Sequence, residues 1–83
     1  MIQIVYFARV REAVGVDGEQ ADVEAGTSIA KLIDLLANLS ERHAAAFSDR
    51  RTLRFAIDQK MVRADAVLDD AQELAIFPPV TGG

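Results

Sequence analysis

The feature that most constrains the fold is one clear stretch of helical apolar spacing set among shorter stretches of strand spacing. From Ile29 the apolar residues recur at i, i+3, i+4, i+7 and i+10, which is typical of a helix laid across a sheet. These positions are Ile29, Leu32, Ile33, Leu36 and Leu39. Gly26 precedes the stretch, and Thr27 or Ser28 can cap the helix by accepting a hydrogen bond from a free backbone N–H. We predict a main helix from Ile29, with Leu35 widening its apolar face.

Two strands are predicted before this helix. Residues 2–8 are β-branched, aromatic or aliphatic except for Gln3, which favours a central strand buried on both faces. The glycine-containing stretch 9–18 is expected to reverse the chain. It leads into a second strand over residues 19–24, whose polar composition indicates a sheet edge.

Strand patterns also dominate the chain after the main helix. Ser40 is expected to cap a short second helical turn that ends at Phe47, an inward-facing residue. Residues 53–58 alternate apolar and other side chains, which indicates a strand with one core face. The remaining predicted elements are a reversal at Gln59-Lys60, a short strand at Met61-Val62, core residues Val67 and Leu68, a turn at Asp69-Asp70 and a last strand over residues 73–77.

This order of elements predicts an α+β protein with a β-grasp (ubiquitin-like) fold. Such a fold wraps a mixed sheet of four to five strands on one main helix, here with a short second helix. The alternative is a split β-α-β ferredoxin-like domain, which requires a second long helix near the C-terminus that no pattern indicates. We assign residues 1–77 to the β-grasp domain and residues 78–83 to an extended, flexible tail.

Composition narrows the possible functions. A chain of 83 residues forms one small domain without room for a deep substrate cavity. Its net charge of −4 with scattered basic residues disfavours nucleic-acid binding and favours a partner with a basic surface. The absence of cysteine excludes a thiolate metal site and a cysteine nucleophile. Without a basic leader or a membrane-length apolar run, the chain is expected in the cytoplasm with no membrane contact.

Metal and cofactor sites are not expected in this chain. His43 is the only histidine and has no neighbouring ligand residues at metal-binding spacing. Asp65, Asp69 and Asp70 lack the glycine and the terminal glutamate of a calcium loop. These aspartates are better explained as turn residues.

The C-terminal tail is the strongest functional candidate. Pro78 and Pro79 cannot donate to a sheet, so strand pairing should stop at Phe77. The tail can reach roughly 20 Å at about 3.3 Å per extended residue, far enough to enter another protein's active site. Gly82 and Gly83 have no Cβ, so they can pass a narrow channel. The terminal carboxylate would need activation before any acyl chemistry, whereas the alternative is a merely frayed end.

The sheet face opposite the helix is a second candidate. Val5 and Phe7 of the first strand and Ala75 and Phe77 of the last would form an apolar patch there. Such a patch usually marks a protein interface. The alternative is that loops and the turn around Phe47 fold over it.

Three segments resemble the small subunits of molybdopterin synthase, which are ubiquitin-like sulfur carriers. These segments are the tail at residues 77–83, the opening at residues 6–15 and residues 56–59. Asp58 stands where the family is expected to have asparagine, at a turn that either residue suits.

The resemblance implies a mechanism centred on Gly83. An adenylyltransferase related to ubiquitin-activating enzymes would use ATP to adenylate its carboxylate, and a sulfur donor protein would convert it into a thiocarboxylate. The tail, slimmed by Gly82, would then enter the large subunit of the synthase, where the sulfur attacks cyclic pyranopterin monophosphate. The catalytic groups would belong to the large subunit, so this chain would be no enzyme on its own.

The resemblance also implies a heterotetramer and a set of contacts. The residues expected to contact partners are Phe7 and Phe77 of the apolar patch, Arg11 of the segment that resembles the family, and Pro78, Pro79, Val80 and Thr81 of the tail. The alternative for Arg11 is a solvated loop charge. Other interpretations remain open: a carrier for thiamine, cysteine or tRNA thiolation, a ubiquitin-like protein modifier, or a simple β-grasp binding domain.

Overall fold

The chain forms a five-stranded mixed sheet with its helices packed on one face. The computed structural model describes residues 1–79. The strands are β1 (Ile2–Tyr6), β2 (Gly18–Ala21), β3 (Arg54–Ile57), β4 (Lys60–Val62) and β5 (Glu73–Phe77). The helices are α1 (Ala8–Val14), α2 (Ile29–Ala37) and α3 (Glu41–Ala46), with a 3₁₀ turn at Arg50–Thr52.

The strand order is β2-β1-β5-β3-β4. The central strands β1 and β5 are parallel, and every other neighbouring pair is antiparallel. This arrangement confirms the predicted β-grasp fold. It also makes β2 and β4 the two edge strands, as expected for the polar β2.

The core lies between the sheet and the helices. Leu74 and Ile76 of β5 face it, as predicted, together with alternate residues of β1. The main helix α2 begins where predicted, because the Ser28 hydroxyl accepts a hydrogen bond from the Lys31 N–H at 3.1 Å. The buried residues that β1 and α2 contribute are Ile2, Ile4, Tyr6, Ile29, Leu32, Ile33 and Leu36.

The second predicted helix is also present as α3. Ser40 caps it by accepting a hydrogen bond from the His43 N–H at 3.1 Å. Phe47 follows the helix and is buried, with its ring centroid 6.1 Å from that of Tyr6. Phe47 therefore lies on the helix side of the sheet and does not cover the opposite face.

The prediction for residues 2–18 is wrong in two respects. First, β1 ends at Tyr6 and is buried on one face only, with Gln3 exposed and Val5 half-buried. Second, the chain then forms α1 rather than a simple reversal. Val10 and Val14 are four residues apart on this helix, so both reach the core.

Helix α1 ends at the cap residue Gly15, which adopts the left-handed conformation common at helix C-termini. Gly15 has φ +97° and donates its N–H to the carbonyl of Arg11 at 2.8 Å, an arrangement that suits a residue without a Cβ. Strand β2 then begins at Gly18 and ends at Ala21, so it is shorter than the predicted strand.

Two leucines of the main helix stripe are more exposed than predicted. Leu35 is 50% exposed, and Leu39 is 61% exposed and lies beyond the end of α2 at Ala37. Val67 is likewise 54% exposed, whereas its neighbour Leu68 is buried as expected. The apolar face of α2 is thus wider than the surface that the sheet covers.

The hairpin between β3 and β4 turns one residue earlier than predicted. Ile57 pairs with Lys60, so the two loop residues are Asp58 and Gln59, with φ +48° and +73°. The Asp58 carboxylate accepts hydrogen bonds from the backbone N–H groups of Gln72 and Glu73. These bonds help to offset the strain of a left-handed backbone at residues other than glycine.

Candidate functional site

The root of the C-terminal tail lies at the centre of the sheet. Strand β5 pairs with β1 on one side and β3 on the other, up to Ile76 and Phe77. The Phe7 N–H donates to the Ile76 carbonyl at 3.2 Å and extends the β1 side of this pairing. The last strand is therefore held on both sides until the chain leaves the sheet.

Strand pairing ends at Phe77, as the two prolines predict. Pro78 and Pro79 are half-buried and belong to no strand. Each proline fixes its own φ near −65°, so the chain leaves β5 in a restricted direction. Residues Val80, Thr81, Gly82 and Gly83 lie outside the described residues, and the predictions made for them and for a tail domain at 78–83 stay predictions.

The face opposite the helices carries a continuous apolar surface. Register places Val5 beside Ala75, Ala75 beside Ala56, and Ala56 beside Met61. Phe7 continues β1 in extended conformation, at φ −127° and ψ 154°, and Phe77 follows Ala75 on the same face. We call this set of six residues the outer apolar face.

Exposure is uneven across the outer apolar face. Phe7 is 47% exposed and Met61 is 64% exposed, whereas Val5 and Phe77 are half-buried. Ala56 and Ala75 are buried, as expected for small side chains flanked by larger ones. The result is a shallow apolar surface with Phe7 and Phe77 nearest the tail.

Sequence reasoning identified part of this surface. It named Val5, Phe7, Ala75 and Phe77 but missed Ala56 and Met61. The period-2 alternation of residues 53–58 could have assigned Ala56 to the outer side. Assigning Met61 also required the register of the β3–β4 hairpin, which was predicted one residue late.

Arg11 lies at the same end of the sheet but not on the outer apolar face. It is on α1, and its Nε is 3.8 Å from the Asp17 carboxylate, with both side chains more than half exposed. An exposed pair at this separation contributes little to stability. Arg11 is therefore accessible beside the tail root, with a carboxylate near it.

A second arginine, Arg54, lies beside the tail root. Arg54 lies opposite Phe77 in the β3–β5 register, and its guanidinium donates to the carbonyls of Arg51 and Leu53 at 3.1 and 2.9 Å. Together with Arg11, it places two guanidinium groups near this end of an acidic protein, and Asp17 offsets part of the charge of Arg11. The expected partner with a basic surface stays a prediction.

A polar network that the sequence did not indicate joins the sheet to α3. The Tyr6 hydroxyl donates to Glu19 Oε2 at 2.7 Å, and His43 Nε2 lies 2.8 Å from the same oxygen. Ser40 Oγ is 2.7 Å from His43 Nδ1. Because these residues are distant in sequence, only the folded chain brings them together.

The network shifts the titration of two of its members. Burial, the Glu19 hydrogen bond and the Glu19 charge all raise the pKa of Tyr6. Burial also acts to raise the pKa of Glu19, but hydrogen bonds from Tyr6 and His43 and the His43 charge outweigh it, so the pKa of Glu19 is lowered. The side chains of the network lie on the helix side of the sheet, although the backbone of Tyr6 pairs with Ile76 at the tail root.

Chemistry at the tail root itself is limited. The outer apolar face carries no titratable group, so it can bind another surface but cannot transfer protons. Among residues 1–79, no cluster of three or more His, Cys, Asp or Glu side chains is placed to bind a metal ion. In the same part of the chain, no helix is long and apolar enough to cross a membrane.

Comparison with known proteins places this geometry in a family. The chain is 41% identical over 83 residues to the molybdopterin synthase sulfur carrier subunit of Escherichia coli, and the match covers 100% of both chains. It is 38% identical to the protein of the same name from Chlamydomonas reinhardtii, over 99% of this chain and 98% of the relative.

Solved structures agree in fold. A putative molybdopterin converting factor, subunit 1, from Pyrococcus furiosus superposes with a TM-score of 0.74 at 28% identity, covering 95% of this chain and 97% of that one. SAMP1 from Haloferax volcanii gives 0.75 at 22% identity over 99% and 98%. The ThiS family matches residues 4–83, a range that includes the whole tail. With its β-grasp fold and its centrally rooted tail, the chain belongs to the ThiS family.

Proposed function

We propose that this chain is the sulfur carrier subunit of a molybdopterin synthase and carries sulfur on the Gly83 carboxyl carbon. The observation that carries the proposal is the full-length 41% identity to a relative of that name, with no part of either chain left unmatched. The tail root supports it, because a strand held on both sides ends at two prolines.

The proposed chemistry begins with activation of the terminal carboxylate. A carboxylate oxygen of Gly83 attacks the α-phosphorus of ATP in a separate adenylyltransferase, and pyrophosphate leaves. A sulfur donor protein then supplies the nucleophile that forms the C–S bond as AMP leaves. The product is a thiocarboxylate, which is anionic at neutral pH and strongly nucleophilic.

Sulfur transfer would take place inside the partner. The tail enters the large subunit, where the thiocarboxylate sulfur attacks cyclic pyranopterin monophosphate and links the Gly83 carbonyl to it through sulfur. One water molecule then hydrolyses the acyl carbon–sulfur bond, which leaves the sulfur on the substrate and regenerates the terminal carboxylate. Burial of the tail orients the sulfur and excludes water. In this scheme the large subunit provides the acid and base groups, and this chain provides the carried nucleophile and its alignment, so neither metal nor cofactor is bound here.

Each residue expected at the site has a defined task in this proposal. Phe7 and Phe77 dock on the large subunit and fix the position of the tail root. Pro78 and Pro79 direct the tail, and Arg11 contacts the partner beside the outer apolar face. Val80 and Thr81 provide side chains for the channel of the large subunit to grip, Gly82 keeps the tail slim, and Gly83 carries the sulfur. The complex forms in the cytoplasm as a heterotetramer.

A truncation series tests this proposal. Deletion of Gly82 and Gly83 is expected to abolish formation of molybdopterin by the reconstituted synthase, while binding to the large subunit persists through the outer apolar face. The full-length chain, assayed in parallel at the same concentration, is the control and should be active. Full activity of the truncated chain would exclude the carrier role, and isopeptide conjugates through Gly83 in cells would favour a protein modifier instead.

A further inference from the structure

A groove between the edge strand β2 and helix α2 has no role in the proposed sulfur chemistry. It encloses about 240 Å³. Its floor includes the buried Leu32 and Leu36, and its open side includes Leu35 and Leu39, which are exposed. Exposed leucines beside buried ones form a continuous apolar surface of the kind that marks an interaction site.

The groove runs beside an unpaired strand edge. The Tyr6 N–H donates to the Asp17 carbonyl, and the antiparallel register then makes Ile4–Glu19 the next hydrogen-bonded pair. The backbone groups of Gly18 and Gln20 therefore point away from β1. Among residues 1–79, β2 has no strand on its other side, so an added strand could bond to them.

The charges beside the groove indicate what kind of added strand could bind there. Residues 17–30 contain no lysine or arginine but four carboxylates: Asp17, Glu19, Asp22 and Glu24. Glu19 and Asp22 line the groove, and Glu19 is already bound by Tyr6 and His43. Asp22 makes no ion pair within residues 1–79, so it can pair with an incoming cation.

The same charges disfavour two other arrangements. Pairing of β2 with β2 of a second copy would bring two acidic segments together, and like charges opposite one another are destabilising. The other edge strand, β4, begins with Lys60 and is followed by Arg63, so it repels a basic segment. The β2 edge combines an apolar groove with carboxylates.

We propose that the β2–α2 groove binds an extended segment of another protein by strand addition, with aliphatic side chains at alternate positions and a lysine or arginine beside them. The aliphatic side chains cover Leu35 and Leu39, and the cation pairs with Asp22. The groove is on the helix side of the sheet and two strands away from β5. A bound segment can therefore tether the carrier while its tail occupies an active site.

A titration of the isotope-labelled full chain by NMR tests this inference. The probe is a short capped peptide with alternating isoleucine and threonine and a lysine at each flank. We expect shifts in the amides of Gly18 and Gln20 and the methyl groups of Leu35 and Leu39, with affinity falling as salt rises. A peptide with glutamate in place of lysine serves as the charge control and should not bind.

Substitutions separate the groove from other surfaces. Leu39→Gln should weaken peptide binding about tenfold, as expected for loss of one leucine contact, and Asp22→Asn should reduce its salt dependence. Met61→Gln, at an equally exposed site on β4, should change neither. No shifts at about 1 mM peptide, shifts centred on β4, equal binding of the glutamate peptide, or concentration-dependent shifts without peptide would each overturn the inference.

Discussion

Replacement of Phe7 by alanine tests the outer apolar face most sharply. Phe7 is 47% exposed, and with about 200 Å² for a phenylalanine side chain, about 90 Å² is available for a partner to cover. At about 25 cal/mol per Å² this area corresponds to about 2 kcal/mol, or about a thirtyfold increase in Kd. We therefore expect Phe7→Ala to weaken binding to the large synthase subunit by that factor.

The fold should tolerate this change. The backbone of Phe7 donates to Ile76 and accepts from Val10 and Arg11, and alanine can make the same bonds. The free energy of unfolding should change by less than about 1 kcal/mol.

Isothermal titration calorimetry with the purified large subunit gives the Kd, and urea unfolding gives the stability. Val67→Ala is the control, because Val67 is 54% exposed but lies on neither the outer apolar face nor the β2–α2 groove. An unchanged Kd for Phe7→Ala, or an equal loss for Val67→Ala, would refute the assignment of the docking surface.

Three further predictions follow from named contacts. Phe77→Ala should weaken large-subunit binding by about 1 kcal/mol or more, measured in the same titration; an unchanged Kd would remove Phe77 from the interface. Gly18→Ala should lower stability by about 1–3 kcal/mol in urea, because its Cβ would lie 2.4 Å from the Ile4 carbonyl oxygen; an unchanged midpoint would argue against the β1–β2 register. Because the fold lowers the pKa of Glu19, the ionised carboxylate stabilises the folded state at pH values above 4.5, the ordinary pKa of this group. This stabilisation is lost as the pH falls through the folded pKa. Glu19→Gln should therefore reduce the loss of unfolding free energy as the pH falls. Parallel plots of unfolding free energy against pH for the variant and the unchanged chain would contradict the role of the network.

The elements that could be predicted from the sequence are those with local causes. The apolar period and the Ser28 cap define α2, and the two prolines after Phe77 end β5. Helix α1 was missed because it is short and begins at Ala8 without a side-chain cap, in a left-handed backbone of φ +52°. The strand-like residues just before it made an extended interpretation more natural.

The remaining differences between the predicted and the observed structure arise from contacts between residues that are distant in sequence. The hairpin turns at Asp58 because its carboxylate bonds to the start of β5, a contact between residues about 14 positions apart. The Tyr6–Glu19–His43 network likewise requires β1, β2 and α3 to be in place. Leu35 and Leu39 have the right spacing for a buried stripe, but spacing alone does not set how far the sheet extends beneath a helix.

The candidate site also has one part that the sequence alone predicts and one that depends on tertiary contacts. Gly83, the residue proposed to carry sulfur, could be named from the sequence because the tail at residues 77–83 resembles that of a known family. Its docking surface depends on which strands are neighbours. The β-grasp order predicts Val5 beside Ala75, whereas the place of Met61 beside Ala56 requires the register of the β3–β4 hairpin.

The most direct test is the intact mass of the full chain after incubation with its adenylyltransferase, ATP and a sulfur source. We predict a gain of roughly 16 Da, from replacement of one oxygen by sulfur, localised to the C-terminal peptide that ends at Gly83. The chain incubated without ATP should keep its original mass. An unchanged mass with an activating system that thiocarboxylates a related carrier would contradict the account.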